Sequence, residues 1–453
     1  MEKYDTIVIG SGIGGLAIGA ILASRERGHK VLILEKNSGL GGRLFSYEKE
    51  GFKLDIGAHV LSRSNKGPVG DILRLVGKED SISFTHVRPM TSYQDKLFPF
   101  PRGLEGIVPD KDFERLNQMF GAMMSLSPPQ TEELDETDLF SYVQRFTDNG
   151  LINACINNIC MVYVVVPYYR ASAGEFIRCI QAEGRAHASG YPIGGCGAVA
   201  EVVATGIREL GGVIETNARV DKVIVENSVA KGVVAGGKTY LADNIISNAD
   251  IKHTMLELVG EKKLDEQYLN QIKPLEYSYS ALVLRLALDK VLADWKLITH
   301  IASDDPVGHY KALEEGKVPD SMNAFLPVPS NFAPDVAPEG KQLVTVATAV
   351  PYEFPRIESL KQMLLDLVQH FLPEINKHIM WTDVTTPSDI NNFVGENGAV
   401  IGIAQTVRQS GSNRPGVTTP INNLYLCGAE AGGWGVGVEL AVESAKNLSL
   451  LIP

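Results

Sequence analysis

Residues 5–36 read DTIVIGSGIGGLAIGAILASRERGHKVLILEK, and this stretch decides the fold. It contains two short apolar runs, separated by a glycine turn and a segment of small and apolar residues. Such runs are typical of parallel strands that are buried on both faces of a sheet. The stretch therefore predicts a strand–helix–strand unit whose turn holds Gly10, Gly12 and Gly15 in the spacing G-x-G-x-x-G.

Each glycine of this turn has a physical reason in a dinucleotide site. Gly10 permits the turn, Gly12 lets a pyrophosphate approach the backbone, and Gly15 lets the helix pack closely on the strand. The helix N-terminus offers N–H groups and positive dipole to the phosphates. Glu35 follows the second strand, where an acid accepts hydrogen bonds from ribose hydroxyls and disfavours NADP. The alternative is a purely structural turn. The predicted dinucleotide contacts are Gly10, Ser11, Gly12, Ile13, Gly14, Gly15, Glu35 and Lys36.

The next segment, KNSGLGGRLFSYEKEGFKLDIGAH at residues 36–59, bears on the choice between NAD and FAD. Its GGR triplet and its GFKLDIG stretch resemble the G-G-R and G-F-x-x-D-x-G motifs of flavoproteins with two dinucleotide-binding domains. The resemblance implies FAD as the cofactor. It also implies that the glycine doublet and arginine contact FAD and that the D-x-G segment passes near the flavin ring. The residues so implicated are Gly41, Gly42, Arg43, Gly57, Ala58 and His59.

The C-terminal stretch LYLCGAEAGGWGVGVELAVESA, residues 424–445, resembles the segment with which these flavoproteins close their cofactor site. The resemblance implies a strand that ends at Glu430, the acid that holds the ribityl chain. It implies a glycine turn at the flavin, with Gly428, Gly437 and Val438 in contact. A helix over 438–451 is expected to point its N-terminus at the ring, where the dipole stabilises negative charge on the reduced flavin.

Residues 211–250 predict short strands that return the chain to the cofactor. In the resembled family a valine here packs on the adenine, and Val220 is the matching position; Asn248 is expected in the same site. The preceding YPIGG at residues 191–195 is similar to a segment of phytoene-desaturase-like proteins. The resemblance covers nearly the whole chain and is strongest at residues 5–59, 191–250 and 414–445.

The predicted fold is α/β: a Rossmann-like FAD-binding domain with a doubly wound parallel sheet, joined to a discontinuous α+β substrate domain. The FAD-binding domain is expected from residues 1–79, 189–255 and 406–453. The substrate domain is expected from 80–188 and 256–405, over the flavin face. A substrate pocket is expected where the two domains meet.

The resemblance implies an FAD-dependent oxidoreductase that transfers a hydride between a carbon–carbon bond of an apolar, isoprenoid-like or alicyclic, substrate and the flavin. Two alternatives stay open: a flavin amine oxidase and a non-catalytic FAD-binding subunit. Gly437 occupies the place where amine oxidases have an aromatic residue beside the substrate. Trp434 is near but out of register with that place, so the sequence argues against an amine oxidase. His59 and Tyr191 are candidate catalytic residues, each with packing or hydrogen bonding as the alternative role.

Two apolar stretches have more than one interpretation. DFERLNQMFGAMMSL, residues 112–126, carries an apolar stripe at helical spacing that could line a tunnel, dock on a membrane or, as we favour, pack in the core. NNICMVYVVVPYY, residues 157–169, could form a pocket wall or a buried strand. The stripe consists of Phe113, Leu116, Met119, Phe120, Met123 and Met124.

The composition of the chain limits the classes of molecule that it is expected to bind. The formal net charge of −12 argues against a nucleic-acid partner. The five cysteines form no CxxC pair and H-E-x-x-H is absent, so no metal site is predicted. The first strand leaves no room for a signal peptide, and no apolar run approaches about 18 residues. A cytoplasmic protein is expected, and the sequence is compatible with peripheral membrane contact and with homo-oligomers. Its expected partners are an apolar small-molecule substrate and an electron acceptor or donor that the sequence does not identify.

Overall fold

The computed structural model describes residues 3–25, 28–57 and 60–452. The strands are β1 Lys3–Ile9, β2 Val31–Leu34, β3 Ser46–Lys49, β4 Phe52–Asp55, β5 Phe84–His86, β6 Met90–Tyr93, β7 Lys96–Phe98, β8 Gly190–Pro192, β9 Val213–Glu215, β10 Val220–Glu226, β11 Val229–Ala235, β12 Lys238–Ser247, β13 Ser280–Leu288, β14 Leu297–Ile301, β15 Ala324–Pro327, β16 Gln342–Val350, β17 Ile379–Thr385 and β18 Leu424–Leu426.

The α-helices lie between these strands, singly or, from α3 to α7, in succession. They are α1 Ile13–Ala23, α2 Pro68–Leu75, α3 Asp110–Ser125, α4 Pro128–Glu132, α5 Leu139–Val143, α6 Gly150–Tyr163, α7 Ala173–Ala186, α8 Gly197–Glu209, α9 Glu266–Ile272, α10 Pro306–Glu314, α11 Pro329–Phe332, α12 Ile357–Phe371, α13 Pro387–Val394 and α14 Gly437–Ser449. Among the described residues, none of the helices combines the length and the apolar character needed to cross a bilayer.

The first sheet has the strand order β10-β11-β12-β1-β2-β9, with β18 beside the end of β12. Strands β12, β1, β2, β9 and β18 run parallel, and all four residues of β2 are buried, as the apolar run predicts. The hairpin β10–β11 adds two antiparallel strands to one side. The α/β class with a parallel sheet is confirmed, and the antiparallel hairpin makes this sheet mixed.

Helices α1, α8 and α14 share one core on a face of the first sheet. Close packing is built into α1, because a side chain at Gly15 would overlap the carbonyl oxygen of Gly10. Gly19 lies against Ile33 in the same way. The first and last helices of the chain therefore lie side by side, which brings both glycine turns to one edge of the sheet.

The second sheet has the order β17-β13-β16-β15-β14-β6-β7. Its neighbours are antiparallel except β14 and β6, which run parallel. Its strands come from residues 90–98 and 280–385, whereas those of the first sheet come from residues 3–34, 213–247 and 424–426. Each sheet thus interrupts the other along the chain, and the exact domain bounds stay a prediction.

The first ambiguous apolar stretch is helical, and the second is helical as far as Tyr163. In α3, Leu116, Met119 and Met123 are fully buried in a core with α7, and no residue of the predicted stripe lines the cavity described below. The stripe is therefore core. The stretch from residue 157 continues α6, so a buried strand there is wrong; Met161 and Val165 instead contribute to the cavity wall.

Candidate functional site

A cavity of about 1060 Å³ is lined by residues of both sheets. Sixteen of the twenty cofactor contacts expected from the sequence lie on its wall, although the chain segments that supply them are far apart in sequence. They are Gly10, Gly12, Ile13, Gly14, Glu35, Lys36, Gly41, Gly42, Arg43, Gly57, Val220, Asn248, Gly428, Glu430, Gly437 and Val438. Ala58 and His59 lie outside the described residues.

The N-terminal glycine turn lines one side of the cavity. Gly10 has φ +91°, and its N–H donates to the carbonyl of Leu34 at 2.8 Å, which holds the turn between β1 and β2. A Cβ at Gly12 would lie 2.7 Å from Nδ2 of Asn248, and one at Gly14 would lie 2.9 Å from Cα of Gly428. A side chain at either position would therefore collide with a neighbour at the site.

The Glu35 carboxylate is fixed by hydrogen bonds to the glycine turn. Its Oε2 accepts from the backbone N–H and the hydroxyl of Ser11 at 2.9 and 2.7 Å, and its Oε1 accepts from the Asn37 N–H at 2.8 Å. Ser11 is fully buried and does not line the cavity. The expected direct contact by Ser11 is thus corrected: its hydroxyl is engaged in orienting Glu35. Gly15 likewise acts in helix packing and does not line the cavity.

Arg43 connects the glycine doublet to a loop near the end of the second sheet. Its Nε donates to the Ala399 carbonyl at 3.0 Å, and a terminal guanidinium nitrogen donates to Glu396. The end of α13 and the start of this loop line the cavity from Ile390 to Glu396. Burial raises the pKa of Glu396, and the charge of Arg43 opposes that shift.

Three carboxylates meet inside the cavity wall: Asp250, Glu396 and Glu430 have oxygens within 4.8 Å of one another. Oε2 of Glu430 accepts from the Ile251 N–H at 2.7 Å, whereas its buried Oε1 has no partner. Burial, and then the charges of Glu396 and Asp250, raise the pKa of Glu430 well above its ordinary value. The Tyr277 hydroxyl donates to Asp250.

This acid cluster was only partly foreseen. Glu430 was expected from the C-terminal motif, but Asp250 and Glu396 were missed because no local spacing connects positions so distant in sequence. Of the described residues, these three could reach one metal ion. The unpaired acceptor on Glu430, however, also suits a hydroxyl group of a sugar chain.

The C-terminal glycine turn forms another side of the cavity. Gly432, Gly433, Gly435 and Gly437 all have positive φ, from +58° to +99°, a conformation that other residues adopt only with strain. Helix α14 begins at Gly437, next to the cavity, and ends at Ser449. The expected helix start at 438 is therefore correct to within a residue.

Tyr191 is a packing residue in this structure and does not line the cavity. Its ring is fully buried and stacks on Phe332 with centroids 5.4 Å apart, and its hydroxyl donates to Oδ2 of Asp55 at 2.6 Å. Burial raises the pKa of Tyr191 well above its ordinary value. This placement corrects the expected catalytic role, because the hydroxyl is engaged in the core.

Beyond the glycine turns, the cavity continues along an apolar wall from α6 and the second sheet. The polar side chains on this wall include Asn158, Tyr163, Thr348 and the pair Tyr310 and Asn323, whose amide donates to the tyrosine hydroxyl at 3.3 Å. Its apolar residues include Leu61, Met161, Val162, Val165, Ala281, Val283, Phe325, Ala347, Ala349, Ile401 and Val436.

No aromatic side chain occupies position 437, and Trp434 does not substitute for one. Trp434 is 44% exposed, and the Arg178 guanidinium lies 4.2 Å from its ring centroid. It is not part of the cavity wall. The wall beside the start of α14 is therefore formed by Gly437 and small aliphatic residues.

Comparison with known proteins places this site in a family. The model of the family "Flavin containing amine oxidoreductase" matches residues 13–449. Prolycopene isomerase from Daucus carota is 26% identical, covering 94% of this chain and 76% of its own length. A 4,4'-diapophytoene desaturase from Staphylococcus aureus is 24% identical, covering 97% and 96%.

A crystal structure of an oxidoreductase from Methanosarcina mazei matches the fold with a TM-score of 0.79 at 21% identity, covering 99% of this chain and all of that one. The mixed sheet and the separate, mainly antiparallel sheet thus belong to a known fold. With a family match over nearly its whole length, and with distant homology to carotenoid desaturases and isomerases, the chain belongs to the flavin-containing amine oxidoreductase family.

Proposed function

We propose that this chain is an FAD-dependent oxidoreductase that acts on a carbon–carbon bond of an elongated apolar substrate. The observation that carries the proposal is one continuous cavity whose first part is lined by dinucleotide-type glycine turns and whose second part is lined by aliphatic side chains. A substrate in the second part would lie next to a flavin in the first. The desaturase and isomerase names of the relatives agree with this substrate class.

The residues present fit FAD. Glu35 has acceptor capacity beside the turn for ribose hydroxyls, and the N-terminus of α1 suits the pyrophosphate. The unpaired Oε1 of Glu430 is a buried acceptor for the ribityl hydroxyls. Bound there, FAD would supply the hydride acceptor or donor that the reaction needs. The protein would bind, orient and keep water away, and no strong protein base is required.

The apolar wall supports a hydrocarbon chain over a charged substrate. Side chains such as Met161, Val283 and Ile401 offer dispersion contacts but no compensation for a buried charge. An ammonium group would be costly in that region without a partner. Gly437 leaves room for a long chain to pass the start of α14, since the atom nearest to a Cβ built there is Cγ2 of Ile401 at 3.9 Å.

The experiment is anaerobic mixing of the FAD-loaded protein with 4,4'-diapophytoene in detergent micelles and, separately, with a panel of primary amines. Flavin absorbance reports reduction, and chromatography identifies the product. We expect bleaching or an altered double-bond pattern with the polyene and no response to amines. Rapid bleaching with amines alone, followed by peroxide formation when oxygen is admitted, would favour amine oxidation. A flavin that responds to neither class would favour a non-catalytic subunit.

A further inference from the structure

The glycine turn that faces the cavity is held from behind by a buried ion pair that the cofactor motifs do not include. Glu175, on α7, is fully buried, and its Oε1 accepts from the Gly435 N–H at 2.7 Å. Its Oε2 accepts from the Gly411 N–H at 3.2 Å and from Arg414 at 3.1 Å. One carboxylate therefore binds the turn and a second loop together.

Arg414 holds the same turn through its carbonyl groups. Its guanidinium donates to the carbonyl oxygen of Gly433 at 2.7 Å and to that of Gly435 at 3.4 Å. It also donates to the side chain of Gln405. Only 2% of the Arg414 side chain is exposed, so these contacts form in a region of low dielectric, where they are strong.

The anchored residues immediately precede the part of the turn that lines the cavity. Gly433 and Gly435 are held by the hydrogen bonds to Glu175 and Arg414. Val436, Gly437 and Val438 form part of the cavity wall and the start of α14. Because Gly432, Gly433 and Gly435 all have positive φ and carry no side chain, the local sequence does little to fix this backbone. The ion pair supplies the missing constraint.

We propose that Glu175 and Arg414 are positioning residues, which hold the cavity-facing turn and the N-terminus of α14 against the reacting end of the cofactor. The inference rests on the proposed FAD site for its consequence but not for its contacts. Since the dipole of α14 favours negative charge at its N-terminus, a displaced helix start would make a bound flavin harder to reduce. Helix α7 thereby couples the substrate side of the cavity to the cofactor.

The test compares Glu175→Gln and Arg414→Lys with wild type and with Gln181→Ala as a matched control. Gln181 is also buried on α7, and its amide donates two hydrogen bonds, to the carbonyls of Met123 and Leu126 at 2.8 and 2.9 Å. Its loss removes buried hydrogen bonds from the same helix without touching the turn. Arg414→Lys retains the charge, so it provides a second variant if Glu175→Gln does not fold.

The first readout is hydrogen–deuterium exchange in the cofactor-free protein, followed in a peptide covering residues 428–440. We expect exchange about tenfold faster or more in Glu175→Gln, because the amide has one acceptor oxygen where the carboxylate has two, so Gly435, Gly411 and Arg414 can no longer all donate to it. Arg414→Lys should show a smaller increase, and the control should match wild type. Unchanged exchange in both variants would overturn the anchoring itself, whether or not the protein binds FAD.

The second readout is the reduction potential of the FAD-loaded proteins. We expect FAD affinity to be retained, since the N-terminal turn is untouched, and the relative preference for the reduced form to fall about tenfold, which is a shift of about −30 mV for a two-electron couple. Faster exchange with an unchanged reduction potential would mean that the ion pair has only a structural role. It would overturn the proposal that Glu175 and Arg414 are positioning residues. Failure of wild type to bind FAD would instead refute the proposed function and leave the exchange result standing.

Discussion

Replacement of Gly437 by tyrosine tests whether the cavity must stay open beside α14. Gly437 has φ +58°, so any other residue incurs a strain of about 1–2 kcal/mol. A Cβ would find its nearest neighbour, Cγ2 of Ile401, at 3.9 Å, which is an ordinary contact. Alanine therefore costs strain alone, whereas tyrosine adds a phenol ring to the cavity wall or displaces the helix start.

The comparison of Gly437→Tyr with Gly437→Ala separates these effects. Both variants should lose about 1–2 kcal/mol of unfolding free energy, and both should keep FAD. Turnover or flavin bleaching with 4,4'-diapophytoene should fall little in the alanine variant. It should fall about a hundredfold in the tyrosine variant, because a displacement of about 1 Å near reacting groups has that size of effect.

The assay is titration with FAD followed by anaerobic bleaching under identical conditions. Equal rates of flavin bleaching in the tyrosine variant and wild type would refute the claim that the cavity must stay open beside Gly437. A gain of amine oxidation by Gly437→Tyr would do so as well, because it would mean that the position serves as the wall of an amine site.

Other substitutions test the remaining parts of the site. Gly12→Val should abolish FAD binding, whereas Glu35→Ala should cost about 1–3 kcal/mol of binding free energy; equally small effects in a titration would count against the dinucleotide turn. Glu430→Gln should flatten the pH dependence of cofactor-free stability above the unfolded-state pKa of a glutamate, about 4.3. The raised pKa of Glu430 means that its stabilising contribution is complete below the unfolded pKa and is lost as pH rises, so wild type should weaken toward high pH. An equally steep decline in both proteins, by thermal unfolding, would oppose this. Tyr191→Phe should lower unfolding free energy by about 1–3 kcal/mol, through the Asp55 hydrogen bond, with FAD reduction unchanged; selective loss of reduction at wild-type stability would restore a catalytic role.

The parts of this structure that follow from local rules could be predicted from the sequence. The spacing of Gly10, Gly12 and Gly15 and the apolar runs around them specify a strand–helix–strand unit, because backbone geometry and burial act over short distances. Glu430 was expected at the end of a strand; β18 ends earlier, at Leu426, and Glu430 lies on the cavity wall, where its role toward a ribityl chain stays a prediction. The start of α14 was predicted to within a residue.

What the sequence did not reveal depends on contacts between distant segments. Asp250 and Glu396 join Glu430 only after both sheets have formed, and no spacing between them records this. Tyr191 was expected at the cavity because it begins the YPIGG segment, which resembles phytoene-desaturase-like proteins. Its hydroxyl instead donates to Asp55 in the core. The apolar run before Tyr168 was expected as a pocket wall or a buried strand, and its helical first part was missed, since short buried runs of strand and helix have similar composition.

The central claim is that the cavity binds FAD between the two glycine turns. The most direct test is to release the cofactor from the purified protein by heat, identify it by mass spectrometry and count it per chain; a protein that arrives empty is titrated with FAD and with NAD. We predict about one FAD per chain, or selective binding of FAD with loss in Gly12→Val. A folded protein that binds NAD at this unit and takes up no flavin would contradict the account.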